Sequence, residues 1–238
     1  MNKQGIIAYV LYDNVYLNIT NRCTAECVFC RKRDSDILKS YNLHCYESIA
    51  SVTAEPLMPL DEVTFGYNIR LPNEPVYGRD LNLSKEPNTE EVINELGDYD
   101  LSKYNEVVFT GLGEPMIRFN EVLEITKWLT RKGIQVRIDT IGHAKLLFPE
   151  RNVAKELADS GMKKVSISLN AHNEETYNKI CRPKLKNSYS SMFEFAHDII
   201  KAGMGLRFTI VNLPDVDIDK CRQIAWKYNA TFEVRTLF

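Results

Sequence analysis

The sequence predicts an α/β fold, a partial TIM-like (β/α)6 barrel of six parallel strands, in one domain spanning residues 1–238. From about residue 105 onward, strand-like and helix-like segments alternate at near-constant spacing, which is typical of parallel strands joined by crossover helices. The strands are apolar on one face only. A chain of 238 residues is also long enough to fold without a disulfide or a metal ion.

Six segments have the composition and alternation of strands. They are residues 16–20, 106–110, 135–140, 164–170, 206–212 and 231–235. Helical periodicity between them is clearest from Val122 to Leu129 and from Met192 to Ile200. Three helices are followed by a glycine where a left-handed C-cap belongs, namely Gly133, Gly161 and Gly203. These signals predict repeated β-loop-α units.

Alternate positions of these strands differ in polarity. One face carries residues such as Val107, Ile138 and Ile167. The other carries Asn18, Thr20, Thr110, Arg137, Asp139, Ser166, Ser168, Asn170, Arg207, Thr209, Glu233 and Arg235. Because a filled barrel packs its interior with Val, Ile and Leu, we expect instead a curved sheet whose inner face lines a polar ligand chamber. The alternative is an antiparallel sheet with one face in solvent, and the crossover helices argue against it.

The region of about residues 32–87 interrupts the pattern and predicts an insertion between the loop after the first strand and the first barrel helix. Residues 63–71 alternate strictly and predict a strand. Residues 72–75 predict a turn, and residues 76–83 the returning strand of a hairpin. We expect this hairpin to be a cap on the same domain, since no linker or repeat indicates a second one.

Composition excludes several classes of protein. Thirty basic and 32 acidic residues give a net charge of −2, so no excess of positive charge indicates a nucleic-acid surface. The sequence does not open like a signal peptide, and no apolar segment approaches the roughly 20 residues that cross a bilayer. We therefore expect a cytoplasmic protein with no membrane partner, in a reducing compartment where clustered cysteines indicate metal or redox chemistry.

Three of the six cysteines, Cys23, Cys27 and Cys30, lie within eight residues directly after the first predicted strand. Three thiolates with no fourth cysteine nearby suit an iron–sulfur cluster that keeps one iron open. Two alternatives remain: the same spacing fits one face of a helix, and a zinc ion with a distant fourth ligand would also use these residues. The carboxyl end of a chamber-lining strand is where α/β folds bind ligands, which favours the cluster.

This loop resembles that of the radical S-adenosylmethionine (radical SAM) superfamily, in which an aromatic residue, here Phe29, precedes the last cysteine. The family's Gly-Glu-Pro element after the second strand is matched by Gly113, Glu114 and Pro115. The resemblance covers roughly residues 14–31 and 88–238. Within it, residues 81–96 and 166–183 are most similar to TatD-associated radical SAM proteins.

The resemblance implies one [4Fe-4S] cluster held by Cys23, Cys27 and Cys30, with S-adenosylmethionine (SAM) on the open iron. Gly113-Glu114-Pro115 would meet the SAM ammonium. In the less exact match at residues 139–142, Ile141 replaces the usual asparagine. The full set of implied cofactor contacts is Phe29, Gly113, Glu114, Pro115, Asp139, Ser168, Asn170 and Val211.

The implied reaction begins with one electron from a donor such as flavodoxin or ferredoxin. SAM is cleaved to methionine and a 5′-deoxyadenosyl radical, which abstracts a hydrogen atom from a small polar substrate. Guanidinium groups suit a carboxylate or phosphate, so the candidate substrate contacts are Arg137, Arg207, Glu233 and Arg235. An internal salt-bridge network is the alternative role for these residues. Two other functions stay open: an enzyme that installs a radical on a protein partner, and a metal-binding protein without activity.

The remaining cysteines and two histidines are assigned less specific roles. Cys181 and Cys221 lie on apolar helical stripes and are expected to be structural, whereas Cys45 is a candidate extra ligand. A single cluster is therefore predicted. His143 and His172 follow strand ends, where either a proton donor or a surface-loop histidine fits.

Overall fold

The computed structural model describes residues 5–30, 69–71, 74–76 and 81–235. Its strands are β1 (Ala8–Leu11), β2 (Asn14–Asn18), β3 (Ile69–Leu71), β4 (Glu74–Val76), β5 (Glu106–Thr110), β6 (Val136–Thr140), β7 (Lys164–Ser168), β8 (Gly205–Val211) and β9 (Thr231–Arg235). Its helices are α1 (Thr89–Leu96), α2 (Phe119–Arg131), α3 (Ala144–Leu147), α4 (Val153–Asp159), α5 (Glu174–Cys181), α6 (Ser188–Lys201) and α7 (Ile218–Lys227). Short 3-10 turns occupy Leu101–Lys103 and Pro115–Arg118.

The strands form one sheet in the order β4-β3-β1-β2-β5-β6-β7-β8-β9. β2 and β5 through β9 are parallel, each hydrogen-bonded to the next in this order. In the described ranges β4 and β9 form the two ends of the sheet and do not pair with each other, so the barrel is not closed. The predicted partial (β/α)6 barrel of six parallel strands is confirmed. None of the helices described is long and apolar enough to span a bilayer.

The first strand, β1, has no counterpart among the predicted strands. β1 pairs antiparallel with β2 across a tight turn at Tyr12-Asp13, and Tyr12 adopts a positive φ of 52°. β2 accordingly starts at Asn14 and ends at Asn18, two residues earlier at each end than the predicted strand over residues 16–20. A short apolar run has no periodicity that distinguishes a strand from other buried chain, so β1 was not recognised.

The predicted hairpin of the insertion is present with a shorter turn. β3 pairs antiparallel with β4, and Leu71 lies opposite Glu74. The return strand thus begins inside the predicted turn over residues 72–75. β3 also contacts β1, where Val10 lies opposite Arg70, so the hairpin extends the sheet beyond β1. Most of the predicted insertion, including residues 32–68 and Cys45, lies outside the described residues.

The two faces of the sheet differ as the alternation predicted. Val107, Ile138 and Ile167 are buried in the main core with the helices, while Asn18, Ser166 and Thr209 are buried polar residues at inward positions. The inner face is not uniformly polar, however. A second apolar cluster contains Ile6, Tyr9 and Leu81 with Leu11, Tyr16 and Leu112 packed against it. Its three buried members come from β1, the chain just before β1 and the chain before α1, none of which was predicted to lie inside the barrel.

Asn18 joins three chain segments at the end of β2. Its Nδ2 donates hydrogen bonds to the carbonyl oxygens of Ile6, at 2.9 Å, and Leu81, at 2.6 Å. Gly111 packs directly against this side chain with a φ of +107°, and an added Cβ would lie only 2.2 Å from Asn18 Oδ1. Glycine is therefore required at position 111 both for the backbone conformation and for the close approach.

We expect Gly111→Ala to lower the free energy of unfolding by about 3 kcal/mol, since backbone strain and displacement of Asn18 add together. Gly133→Ala is the matched control. Gly133 also has a positive φ, of +78°, but an added Cβ there would meet no atom within 4 Å. Its cost should be only about 1 kcal/mol from backbone strain. Urea unfolding followed by circular dichroism measures both, and equal losses would contradict the packing argument.

Candidate functional site

The cysteine loop, residues 21–30, follows β2 at its carboxyl end. Cys27 is buried, and Cys23 and Cys30 are half-buried. All three are free thiols. The structure thus brings the predicted ligands into one short loop at the expected edge of the sheet. Within the described ranges, no three His, Cys, Asp or Glu side chains are already gathered closely enough to hold a metal ion.

The Gly113-Glu114-Pro115 segment packs against the start of this loop. The backbone N–H of Glu114 donates to the carbonyl oxygen of Arg22 at 2.8 Å. A Cβ on Gly113 would lie 2.3 Å from the carbonyl oxygen of Thr20 and 2.6 Å from that of Arg22. The loop after β5 therefore supports the cysteine loop through direct backbone contact that any side chain at position 113 would prevent.

The carboxylate of Glu114 is buried between two strand ends. Oε1 accepts hydrogen bonds from Met116 N at 3.0 Å and Thr140 Oγ1 at 2.7 Å, and Oε2 accepts from Ile141 N at 2.8 Å. Burial raises the pKa of this carboxyl to about 7, although the three hydrogen bonds act in the opposite direction. Glu114 thereby joins the ends of β5 and β6 beneath the cysteine loop.

A second carboxylate, on Glu86, holds the outer side of the cysteine loop. Arg22 donates to both of its oxygens, from Nε at 2.7 Å and from Nη2 at 2.8 Å, and Thr20 Oγ1 donates to the same group. Arg118, buried nearby, donates to the carbonyl oxygen of Ile19 at 3.2 Å. Sequence reasoning missed Glu86 and Arg118 because neither belongs to a spaced motif and Glu86 lies within the predicted insertion.

The other side of the cysteine loop lies along residues 179–186, which we call the basic ledge. Glu26 N donates to the carbonyl oxygen of Cys181 at 3.0 Å, and Val28 N donates to that of Ile180 at 2.8 Å. Lys184 N donates in return to the carbonyl oxygen of Thr24 at 2.8 Å. The peptide of Cys27 is therefore flanked on both sides by hydrogen bonds to the end of α5.

A buried network starts at Thr24, between the first two cysteines. Thr24 Oγ1 lies 2.8 Å from His143 Nδ1, and His143 Nε2 lies 2.8 Å from the hydroxyl of Tyr177. Burial lowers the pKa of His143 to about 4, so the ring is neutral near pH 7. His143 is thus neither a surface-loop histidine nor exposed to a substrate. His172 is half-buried, and its Nδ1 accepts from Asp217 N at 3.2 Å.

Among the other residues predicted to contact SAM, Ser168, Asn170 and Val211 lie at the ends of β7 and β8, and Phe29 packs against the main core. Ser168 is half-buried and Val211 is buried. Asn170 is also buried, with a positive φ of 56°, and its Nδ2 donates to Cys181 Sγ at 3.6 Å. Cys181 and Cys221 are buried among core residues, as expected for structural cysteines.

A cavity of about 610 Å³ occupies the interior of the barrel and reaches Cys30. One wall is apolar and aromatic and includes Leu11, Leu81 and Leu112. On this wall Tyr9 and Tyr16 stack with ring centroids 5.6 Å apart and 16° between their planes. The other wall carries Glu106, Arg137, Asp139, Arg207, Glu233 and Arg235. The predicted ligand chamber is therefore present, with one charged wall and one apolar wall.

The charged wall is an ion-pair network centred on Asp139. Asp139 pairs with Arg137, with Arg207 at 3.6 Å and with Arg235 at 3.4 Å. Arg137 also pairs with Glu106 at 2.8 Å, and Arg207 with Glu233 at 2.7 Å. Asp139, predicted as a SAM contact, is thus committed to arginines. Glu106 was not among the residues predicted to line the chamber, although it lies on the same face of β5 as Thr110, which was.

The three arginines of this wall are not equivalent. The Arg137 side chain is only 6% exposed and fully engaged by Glu106 and Asp139. Arg207 and Arg235 retain 27% and 32% exposure toward the cavity. Arg137 is thus enclosed by its ion pairs, whereas Arg207, Glu233 and Arg235 are ion-paired but remain partly exposed where they line the cavity.

Comparisons with known proteins agree with this arrangement. The family model described as Radical SAM superfamily matches residues 17–225. No protein of curated function resembles the chain closely enough in sequence to count as a match.

Several solved structures share the fold. The chain is 12% identical to Streptococcus suis SuiB bound to precursor peptide SuiA, with a TM-score of 0.60 over 96% of this chain and 40% of that one. It is 12% identical to the FeFe-hydrogenase maturase HydG from Carboxydothermus hydrogenoformans, with a TM-score of 0.55 over 94% and 44%. TYW1 with a lysine-pyruvate adduct bound gives 13% identity and a TM-score of 0.51 over 94% and 64%. The chain thus spans less than two thirds of the length of each.

Glu114 and His143 should make opposite contributions to the pH dependence of stability. The pKa of Glu114 is raised from 4.5 to about 7 on folding, so its contribution to stability falls as pH rises through that window. Glu114→Gln removes the titrating group. As pH rises from about 5 to about 8, we expect the free energy of unfolding of the variant to increase by up to about 3 kcal/mol relative to that of the native protein. Urea unfolding without cofactors measures this difference.

His143→Asn supplies the opposite case. The pKa of His143 falls from 6.5 to about 4 on folding, so its contribution to stability rises with pH across that interval. The stability deficit of this variant should therefore grow as pH rises from about 4 to about 6.5. Parallel pH profiles for the native protein and both variants would contradict the assignments.

Proposed function

The chain belongs to the radical SAM superfamily, and on that premise we propose that it is an enzyme that binds one [4Fe-4S] cluster and SAM and abstracts a hydrogen atom from a substrate held in the barrel chamber. The observation that carries the proposal is the meeting of the cysteine loop, the Gly113-Glu114-Pro115 segment and the chamber at one edge of the sheet. Cys30 lines the chamber, so the cluster and the substrate would be neighbours.

The donor set fits an iron–sulfur cluster. Cys23, Cys27 and Cys30 are reduced and partly or fully shielded from solvent, and soft thiolates are the ligands that such clusters prefer. Three ligands leave one iron for SAM. When bound, the cluster and SAM together supply the one-electron cleavage of SAM to methionine and a 5′-deoxyadenosyl radical. The electron comes from a reduced donor protein such as flavodoxin or ferredoxin.

The protein's own residues position these groups and exclude water. The backbone around Gly113 and Glu114 would receive the SAM ammonium, and the buried Glu114 carboxylate adds negative charge there when ionised. Ser168, Asn170 and Val211 lie at the next strand ends, where the ribose and adenine would extend. Asp139 would act on SAM only indirectly, since its oxygens pair with arginines.

The chamber favours a small substrate. Its charged wall has as many arginines as carboxylates, so a molecule with both charges could exchange partners with Arg207, Glu233 and Arg235 without leaving a buried charge unpaired. The stacked Tyr9 and Tyr16 would contact its apolar portion. Arg137 would serve only to hold the wall.

The finer assignments rest on the sequence. Residues 81–96 and 166–183 support a place among TatD-associated radical SAM proteins, and the single-domain description of residues 1–238 accords with one continuous sheet. A reducing cytoplasm suits the free thiols of the cysteine loop. An enzyme that installs a radical on a protein partner, and a metal-binding protein without activity, are the competing functions.

Anaerobic reconstitution tests the proposal. The protein should bind about four irons and, with SAM and dithionite, form 5′-deoxyadenosine and methionine in equal amounts. Zinc without sulfide in anaerobically purified protein, or about four irons without any 5′-deoxyadenosine, would overturn the radical chemistry.

We expect Cys27→Ala to abolish cluster assembly, because no other described cysteine is placed to replace it in the loop. Cys221→Ala is the matched control, since Cys221 is fully buried on α7. Iron and sulfide content and the visible absorbance of the reconstituted proteins measure the effect. Loss of iron in the Cys221 variant with retention in the Cys27 variant would reverse the ligand assignment.

A further inference from the structure

The basic ledge presents four cationic side chains in eight residues. Lys179, Arg182, Lys184 and Lys186 are all exposed, and no acidic residue lies among residues 179–186. The chain as a whole has a net charge of −2, so this concentration of positive charge is local. The carboxyl end of α5 contributes a negative partial charge, yet four cations outweigh it.

Part of this charge is free. Lys179 pairs with Asp215 at 2.8 Å and Lys184 with Glu26 at 3.3 Å, and both pairs are exposed. Neither Arg182 nor Lys186 makes an ion pair with any residue that the structure describes. Arg182 and Lys186 are therefore the two cations of the ledge that can meet an incoming anionic surface without first giving up an ion pair to a described residue, and the exposed pairs of the other two are weak.

The ledge lies directly against the cysteine loop. Glu26 N also lies 3.2 Å from the carbonyl oxygen of Arg182, beside the bond to Cys181. Ala25 forms an isolated β-bridge with Pro183. Because the N–H of Val28 also donates a hydrogen bond to the carbonyl oxygen of Ile180, the backbone on both sides of Cys27 contacts the ledge. A molecule seated on the ledge is therefore separated from the Cys27 peptide by one layer of chain.

We propose that the basic ledge is the docking surface of an acidic electron-carrier protein, which transfers one electron to the cluster at the cysteine loop. This inference rests on the proposed function, because only a redox cluster requires such a partner. The carrier loses one electron and the bound cluster gains it, with no proton or atom exchanged. Electron transfer slows steeply with distance, so a carrier must dock where the cluster loop is nearest the surface.

The charge and its placement favour a transient protein partner over nucleic acid. Electron-transfer complexes use small interfaces whose opposite charges raise the association rate more than the affinity. A nucleic-acid site needs a longer basic surface interleaved with aromatic side chains that stack on bases, whereas the ledge is eight residues long and contains no aromatic residue. Binding of an RNA oligonucleotide is retained below as an outcome of the test.

The test compares two kinds of reductant, carrier proteins and a small molecule, on the reconstituted enzyme. The ledge variant is Arg182→Glu with Lys186→Glu, and the matched control is Lys163→Glu with Lys164→Glu. Lys163 and Lys164 are exposed at the amino end of β7, the opposite rim of the barrel from the cysteine loop. Both double variants change the net charge equally. Reduced flavodoxin and reduced ferredoxin serve as acidic carriers, and dithionite serves as a reductant that needs no docking surface.

We expect the ledge variant to lose at least about tenfold in the rate of carrier-dependent 5′-deoxyadenosine formation at low ionic strength, while the control variant stays near the native rate. The native rate should fall with added salt, and that of the ledge variant much less. Dithionite-driven formation should be unchanged in both. A neutral version, Arg182→Gln with Lys186→Gln, should give an intermediate rate if charge is responsible and folding is intact.

Three results would overturn the docking proposal while leaving the proposed function standing. The ledge and control variants could respond equally to the carriers. A second such result is that neither carrier supports 5′-deoxyadenosine formation although dithionite does. The ledge variant could lose binding of a fluorescent single-stranded RNA oligonucleotide while keeping its carrier-dependent rate, which would assign the ledge to nucleic acid. Absence of 5′-deoxyadenosine in the native protein even with dithionite would instead refute the proposed function.

Discussion

The buried carboxylate of Glu114 is the interaction on which the site depends. The backbone N–H of Glu114 donates to the carbonyl oxygen of Arg22 in the cysteine loop, while the carboxylate accepts hydrogen bonds from the end of β6. Three successive parallel strands of the sheet are thereby fixed relative to one another at their carboxyl ends. An ionised carboxylate is costly to bury, and three donors offset part of that cost. The same atoms that stabilise the rim also give it a negative charge suited to a cationic cofactor.

The cysteine loop and the chamber could be predicted from the sequence because both depend on short-range patterns. Cysteine spacing locates the loop, and a period of two assigns Arg137 to the inner face. The partners of these residues could not be predicted. Asp139 meets Arg235 across 96 residues, and His143 becomes buried only when α5 supplies Tyr177. β1 was missed because four apolar residues have too little periodicity, and Glu86 because it lies outside any motif.

The charged wall and the apolar wall of the chamber would contact different parts of a bound molecule. Desolvated ion pairs such as Arg137–Glu106 resist rearrangement, whereas the partly exposed Arg207 and Glu233 exchange partners at lower cost. The tyrosine stack depends on the antiparallel pairing of β1 with β2, the first of the six parallel strands. β1 therefore contributes to the apolar wall of the chamber as well as extending the sheet.

The hydrogen bonds between the cysteine loop and α5 have a further consequence. The last carbonyl groups of a helix lack partners within it. At the end of α5, the carbonyl groups of Ile180 and Cys181, and that of Arg182 just after the helix, accept from Val28 and Glu26, so the cysteine loop caps the helix. Neither segment can open without exposing polar groups of the other, and together they form one cooperative unit. A ligand that orders the loop would therefore also suppress fraying of α5 on the outside of the barrel.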